Sequence, residues 1–360
     1  MSSDDKLGSG PVTVKIVGRV APEWLYRQLP GQDGVWSDCR FVTDPDENDY
    51  DWLVVYHDLA WSKERRGMEF LACAGRKSIL VTTEPSSITV YGTDYLKQFG
   101  TIITSQEPWV IHHPNPVFTM PGLLWFYGMN EEEASFIPYD DLRSMVPPVK
   151  ERNLSTVCSN RRGRLTLHSK RVHFTQRLKA CLPEMDVFGH GVKPMADKAE
   201  ALNPYRYHIT IENHICCDHM TEKLPDAFLG HTLPFYHGCP NASEYFPKDS
   251  YVPIDIDDFD KSLDLIQSTI ANNEYEDRLS YILEARRRVL EEYNLFEVIE
   301  KVIRRNPDGA GSHEGSLTGC IMNRQTLRIK RPLTGIRSLW EKVEIKGRLR
   351  IRGMLRGQYP

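Results

Sequence analysis

No CxxC pair, no long apolar run and no excess of positive charge occur in this 360-residue sequence. The missing CxxC spacing is informative because eight cysteines are present, at Cys39, Cys73, Cys158, Cys181, Cys216, Cys217, Cys239 and Cys320. Disulfide frameworks belong to short secreted chains, and a structural zinc site needs ligand pairs at close spacing. The nearest approach to a metal set is Cys216 and Cys217 beside His208, His214 and His219. Adjacent cysteines do not easily reach one tetrahedral ion together, so the favoured reading is reduced, buried thiols, and no metal is assigned. No apolar stretch approaches the roughly 20 residues that span a bilayer. Residues 1–10 are polar, include Asp4 and Asp5, and lack the basic start and apolar run of a secretory signal. The expectation is a cytoplasmic protein. A formal net charge of -4 gives no reason to expect nucleic acid as a partner.

What is present is the composition of a folded chain, 40% hydrophobic and 26% charged, long enough for two domains with their own cores. Short β-branched or apolar runs recur at Val12–Val17, Trp52–Tyr56, Ser78–Thr82 and Thr101–Thr104, separated by crossover-length segments. That spacing predicts parallel strands and an α/β domain over 1–148. Pro147 and Pro148 mark its end, since paired prolines fit neither a helix interior nor a central strand. Strands are then expected at Ser155–Asn160, Met185–Phe188, Tyr207–Ile211, Leu233–Tyr236 and Tyr251–Ile254, with helices at Leu165–Cys181 and Thr221–Gly230. Apolar residues at helical spacing continue to about Arg305, giving a second α/β domain over 149–305. Residues 306–360 read as a Gly/Ser-rich linker and a basic tail.

The tail carries nine basic residues from Lys330 onward against Glu341 and Glu344. Val343, Ile345, Leu349 and Ile351 alternate with charged residues at a period of two, which predicts a strand. Anionic lipid attracts such segments by about 1 kcal/mol per basic residue. Peripheral attachment to the inner face of a membrane is therefore one expectation, and a solvated or disordered end is the other.

The segment richest in chemistry runs from Tyr207 to Gly238. An apolar strand ends in Glu212 and Asn213, and a polar loop leads to Asp218-His219-Met220-Thr221-Glu222-Lys223. Asp218 and Thr221 are good N-cap types ahead of the apolar positions Leu224, Ala227 and Phe228. Helix N-termini suit a diphosphate, and Lys223 opposes the helix dipole, as a cation kept for an anion would. The alternative is a solvated Glu222–Lys223 pair.

These residues resemble the donor-site signature of the α-1,3/4-fucosyltransferases, glycosyltransferase family 10 of bacterial type. The likeness rests on Ile211-Glu212-Asn213-His214, His219-Met220-Thr221-Glu222-Lys223 and Leu233-Pro234-Phe235-Tyr236-His237-Gly238. Cys158-Ser159-Asn160, Val187-Phe188-Gly189 and the stretch Pro247 to Phe259 extend it over about residues 150–300. The resemblance implies two Rossmann-like domains facing across a cleft (a GT-B type glycosyltransferase), GDP-fucose as donor and inversion without an essential metal or other cofactor. It also implies that Glu222 holds the donor ribose, that Lys223 lies near the phosphates, and that Arg171 is the diphosphate-binding arginine. Arg161, Arg162 and Arg164 are its competitors. Asn160, Glu212, Asn213, Thr221 and His219 join the implied donor set. Thr83-Glu84-Pro85-Ser86-Ser87 is similar to the family turn whose carboxylate is the general base, which makes Glu84 the implied catalytic residue and Glu107 the substitute.

The expected function is therefore transfer of fucose to a hydroxyl of a glycan or glycolipid acceptor. Ile211 and His219 stand where the family has aromatics, and His214 where it has a small hydroxyl residue. Transfer of another sugar, or nucleotide-sugar or carbohydrate binding without catalysis, remains the alternative.

Overall fold

The computed structural model describes residues 11–19, 22–159, 167–309, 315–316 and 319–355. Two parallel sheets organise it. The first has the spatial order Val35–Trp36, Cys39–Val42, Val12–Gly18, Trp52–Tyr56, Ser78–Val81, Thr101–Thr104 and Pro116–Phe118. Every pairing is parallel except the short hairpin of Val35–Trp36 with Cys39–Val42. The strands Trp52–Tyr56, Ser78–Val81 and Thr101–Thr104 are buried at every position. Layers cover both faces, which is why these strands read in the sequence as unbroken apolar or β-branched runs. Cys39–Val42 and Pro116–Phe118 carry no such run, and the sequence reading passes over both.

The second sheet is wholly parallel, ordered Asp186–Phe188, Arg152–Val157, Tyr205–Ile211, Leu233–His237 and Val252–Pro253. In both sheets the first long strand lies inside, with the next parallel strand on one side and all later ones on the other. The chain therefore reverses direction across the sheet between Val12–Gly18 and Trp52–Tyr56, and again between Arg152–Val157 and Tyr205–Ile211. Loops diverge at such a switch point beyond the strands' carboxyl ends, opening a crevice for a ligand.

The chain crosses between the sheets twice, and the two crossings touch at Gly122. This residue has φ of 64°, and a Cβ there would lie 2.6 Å from the Leu295 nitrogen and 2.7 Å from the Tyr293 carbonyl oxygen. A residue with a side chain fits neither the φ nor the gap. Beyond this point the helix Leu295–Arg305 packs on the first sheet, with Phe296 edge-on to Phe41 at 4.7 Å. Trp36 Nε1 donates to Glu297 at 2.7 Å. The segment expected to be a linker and tail also belongs largely to this lobe. Cys320–Met322 pairs antiparallel with Met68–Phe70, and the helix Arg324–Lys330 follows.

The tail itself is the clearest correction. Pro332–Leu355 is a 24-residue α-helix and contains no strand. Ile345 and Leu349, four residues apart, pack with Val90 and Val110 on the first lobe. Their neighbours Val343 and Ile351 face outward. The period of two was produced by two different helix faces. Among the described residues no helix is long and apolar enough to cross a membrane.

Three buried histidines and the half-buried His57 give the fold a pH dependence. Burial, reinforced by nearby cations, pushes His57 down to about 4 and His208 and His231 to about 3. Burial and the neighbouring His214 and Lys223 bring His219 to about 3. An unfolded histidine titrates near 6.5, so between about pH 6.5 and 4 the unfolded chain binds more protons and stability falls as pH falls. Urea melts at stepped pH check this. His231 is fully buried, and both ring nitrogens are without a hydrogen-bond partner among the described residues. His231→Asn, which tolerates the φ of 54° there, should flatten the slope by up to about 1.4 kcal/mol per pH unit.

Candidate active site

A cleft of ≈ 790 Å³ lies between the lobes, lined from the first by Tyr56, Thr83, Glu84, Pro85, Ile88 and Phe126. From the second it takes Ser159, His168, Arg171, Lys198, Asn213, His219, Thr221, Glu222, Lys223 and Asp226. Ser159 and Asn213 follow the two strands that flank the second sheet's switch point, so the topology itself places this wall. Glu84 follows Ser78–Val81 and so stands at the carboxyl edge of the first sheet.

The sequence Thr221-Glu222-Lys223-Leu224-Pro225-Asp226 forms a ladder of alternating charge with two residues from outside it. Lys223 Nζ lies 3.3 Å from Glu212 Oε2 and 3.3 Å from Glu222 Oε1. Lys198 Nζ lies 3.4 Å from the same Glu222 oxygen and 2.7 Å from Asp226 Oδ2. Asp226 Oδ1 accepts from the backbone nitrogens of Phe126 and Tyr127, at 3.0 Å each, tying the ladder to the crossover segment. Burial alone would push Glu222 up, but Lys223 and Lys198 outweigh it and hold the carboxyl well below its ordinary range. Asp226 is moved upward, chiefly by burial. Lys198 is held above its ordinary value because Asp226 and Glu222 together outweigh its burial.

Two expected roles change. Glu212 is fully buried and does not line the cleft. Its carboxylate accepts from Thr221 N at 2.9 Å and from Thr221 Oγ1 at 2.7 Å, and so pins the loop that presents Lys223. Neither Asp218 nor Thr221 caps the following helix, Lys223–Leu229, which begins after Glu222 without a side-chain cap. Asp218 instead accepts from Tyr245 Oη at 2.6 Å and from Asn241 Nδ2 at 2.8 Å. Lys223 is therefore no isolated cation opposing a dipole, because two carboxylates and the Thr221 hydroxyl already surround it.

Arg171 stands in the first turn of His168–Cys181, 6% exposed, and donates from Nη1 to Asn213 Oδ1 at 2.9 Å. Its Nε is buried without a hydrogen-bond partner among the described residues. An unused guanidinium N–H at a cleft wall is available to an anion oxygen, whose bond would recover the desolvation cost of that buried group. Asn160 and the competing Arg161, Arg162 and Arg164 lie outside the described residues. His219 is buried and its Nδ1 lies 2.9 Å from Ser105 Oγ.

Glu84 belongs to the intermediate burial range, and its pKa is raised, first by burial and then by Glu222, with Lys223 and Arg324 working the other way. Its turn is held from below. Gln106 Nε2 donates to the Glu84 carbonyl at 2.7 Å, and Thr83 N donates to Tyr91 Oη at 3.1 Å. The substitute, Glu107, does not line the cleft. His214 Nε2 lies 3.1 Å from its carboxylate, and this contact lowers its pKa against the opposing effect of burial.

Sequence reasoning missed Lys198, Asp226 and a cluster beside Glu84. In that cluster Arg324 reaches back from the chain's last third, with Nε 3.0 Å from Asp58 Oδ2 and Nη2 3.2 Å from His57 Nε2. Tyr95 Oη donates to Asp58 Oδ1 at 3.0 Å. Asp226 carried a usable signal, since it falls four residues after Glu222. Lys198 and Arg324 are distant in sequence from everything they touch in the site.

Comparison with known proteins adds to this geometry. Residues 148–281 match the family model described as glycosyltransferase family 10 (fucosyltransferase) C-term. An alpha-(1,3)-fucosyltransferase of Helicobacter pylori is 34% identical over 83 residues, 23% of this chain and 17% of that protein. A 4-galactosyl-N-acetylglucosaminide 3-alpha-L-fucosyltransferase of Gorilla gorilla gorilla is 35% identical over 102 residues, 27% of this chain and 26% of its own. The aligned stretches thus span about a quarter or less of these curated relatives. A solved α1,3-fucosyltransferase structure superposes with a TM-score of 0.50 over 88% of this chain and 94% of that one, at 17% identity, which establishes the shared fold. The chain is a GT-B type, two-lobed α/β protein whose residues 148–281 match the C-terminal domain model of glycosyltransferase family 10.

Proposed function

We propose that the protein transfers fucose from GDP-fucose to a sugar hydroxyl of a glycan or glycolipid, inverting the anomeric carbon in a single displacement. The observation that carries this reading is one cleft with Glu84 on its first wall and Arg171, Glu222 and Lys223 on its second. The family of residues 148–281 and the activity named for its relatives support the choice of donor.

Glu222 takes the ribose hydroxyls, and Arg171 meets the diphosphate with its unpartnered Nε. Lys223 stays anchored by Glu212 and turns part of its charge to the same oxygens. The acceptor O–H passes its proton to the Glu84 carboxylate as its oxygen bonds to the anomeric carbon. The bond from that carbon to the β-phosphate oxygen breaks, and GDP leaves with the electron pair. Negative charge grows on the β-phosphate during this step, so cations fixed in place stabilise the transition state more than the ground state. Burial suits Glu84 to the task, since a carboxylate with a raised pKa is a stronger base. Attachment to an anionic membrane surface through the basic C-terminal helix forms part of the same reading.

Glu84→Gln should lower kcat by about 10²–10⁴-fold while leaving the GDP-fucose Kd nearly unchanged, measured by turnover and by calorimetry. In the unsubstituted protein kcat/KM should rise with pH through an apparent pKa above the ordinary carboxylate range, because Glu84 must be ionised to act. Loss of donor binding in this variant, or retained turnover, counts against the assignment. Thermal melts should rise with GDP-fucose and stay flat with UDP- and ADP-sugars. A ligand at 100 times its Kd adds about 2.7 kcal/mol of stability. Glu212→Gln keeps the shape of the buried side chain but removes the charge that anchors Lys223. It should weaken donor binding on the order of tenfold, the scale of one lost charged hydrogen bond.

A further inference from the structure

Arg171, Glu222 and Lys223 suit a diphosphate and a ribose, and none of them distinguishes one base from another. The same cleft is lined by Val157, Met195, Leu202 and Ile209, with His208 beside them. The protons of His208 can be counted. Ser155 and His208 face each other across the strands Arg152–Val157 and Tyr205–Ile211. Ser155 Oγ donates its one proton to the Ala201 carbonyl at 2.5 Å. The 2.8 Å contact between Ser155 Oγ and His208 Nδ1 is then a bond that Nδ1–H donates. A neutral imidazole carries a single N–H, so Nε2 is left as an acceptor. The ring stays neutral near pH 7, because burial and the charges of Lys198 and Lys150 bring its pKa down to about 3. His208 is 6% exposed, and its Nε2 bonds to none of the described residues. A buried acceptor in that state gains from any ligand N–H that reaches it.

We infer that His208 Nε2 accepts the N1–H of the donor's guanine and so selects the base of the nucleotide sugar. The inference rests on the transfer reading, in which Glu222 takes the ribose. Lys198 links the two places. Its Nζ lies 3.4 Å from Glu222 Oε1, and its charge bears on the His208 ring. A base attached to a ribose at Glu222 therefore falls along the wall that holds His208, where Val157, Met195, Leu202 and Ile209 offer apolar contact to its faces. Guanine presents an N–H at N1, whereas adenine presents a lone pair there. Two opposed acceptors leave both unpaired, so a site built around a fixed acceptor penalises the analogue beyond the loss of one contact. Ser155 is the positioning residue, since its hydroxyl sets which ring nitrogen carries the proton.

The test measures GDP and ADP binding to the full chain by calorimetry, without an acceptor or turnover. GDP should bind more tightly than ADP. His208→Leu should weaken GDP about tenfold and leave ADP within about twofold, so that the preference shrinks about tenfold. His208→Gln should keep most of it, because an amide can donate to Ser155 and accept from the base. General damage to the fold weakens both nucleotides together and does not move their ratio. Imidazole nitrogen NMR of the unsubstituted protein, assigned through His208→Gln, gives a second readout that needs no folded leucine variant. It should show the Nδ1–H tautomer and a shift of Nε2 on adding GDP but not ADP. An Nε2–H tautomer, or a GDP preference that survives in His208→Leu, overturns the inference and leaves the transfer reading standing. Failure of the unsubstituted protein to bind GDP overturns both.

Discussion

Five alternating charges, Glu212, Lys223, Glu222, Lys198 and Asp226, hold the cleft in its shape. Buried carboxylates and ammonium groups are tolerable only when paired, and breaking such a pair by removing one member costs several kcal/mol. The ladder satisfies this by giving each lysine two carboxylates. Its outer members anchor it in opposite directions, Glu212 to the Thr221 loop and Asp226 to the backbone at Phe126 and Tyr127. The ladder therefore fixes both the cations that face the cleft and the crossover between lobes. Geometry at the second lobe's cleft wall and geometry between the lobes are set by the same contacts.

The two sheets repeat one strand order and treat their switch points differently. In the second sheet the crevice is open and lined by Ser159 and Asn213. In the first, His57 and Asp58 emerge at the equivalent place, and the chain fills it with Arg324. Asp58 is almost fully buried and also meets Arg19 at 3.2 Å, so the filled crevice is neutralised from within the protein. One lobe keeps its ligand position free, and the other uses the equivalent position to support the turn that bears Glu84. This division of labour requires residues 320–330 to return to the first sheet.

Much of the core was legible from the sequence. The runs at Trp52–Tyr56 and Thr101–Thr104 coincide with strands because central parallel strands are buried on both faces and need no alternation. Edge strands such as Pro116–Phe118 are only partly buried and leave no such run. In the candidate site, Arg171, Asn213, Glu222 and Lys223 were found by local pattern, and all four line the cleft. Glu212 was given a ligand role it lacks because strand-end position alone does not reveal which way a carboxylate turns. The alternation at Val343–Ile351 misled because a helix with three kinds of face can imitate a period of two over a few residues.

The acid–base properties of Glu84 depend on the same ladder. Burial and Glu222 make the Glu84 carboxyl harder to ionise, while Lys223 and Arg324 oppose them. On the proposed reading, an arriving diphosphate brings negative charge and draws on Lys223, which reduces that opposition. Glu84 then becomes more basic when the donor is in place than when the cleft is empty, since a new like charge nearby disfavours the ionised carboxylate. Electrostatic coupling of this kind requires no movement of the base. It requires only that one lysine be shared between the anion it binds and the carboxylate it restrains.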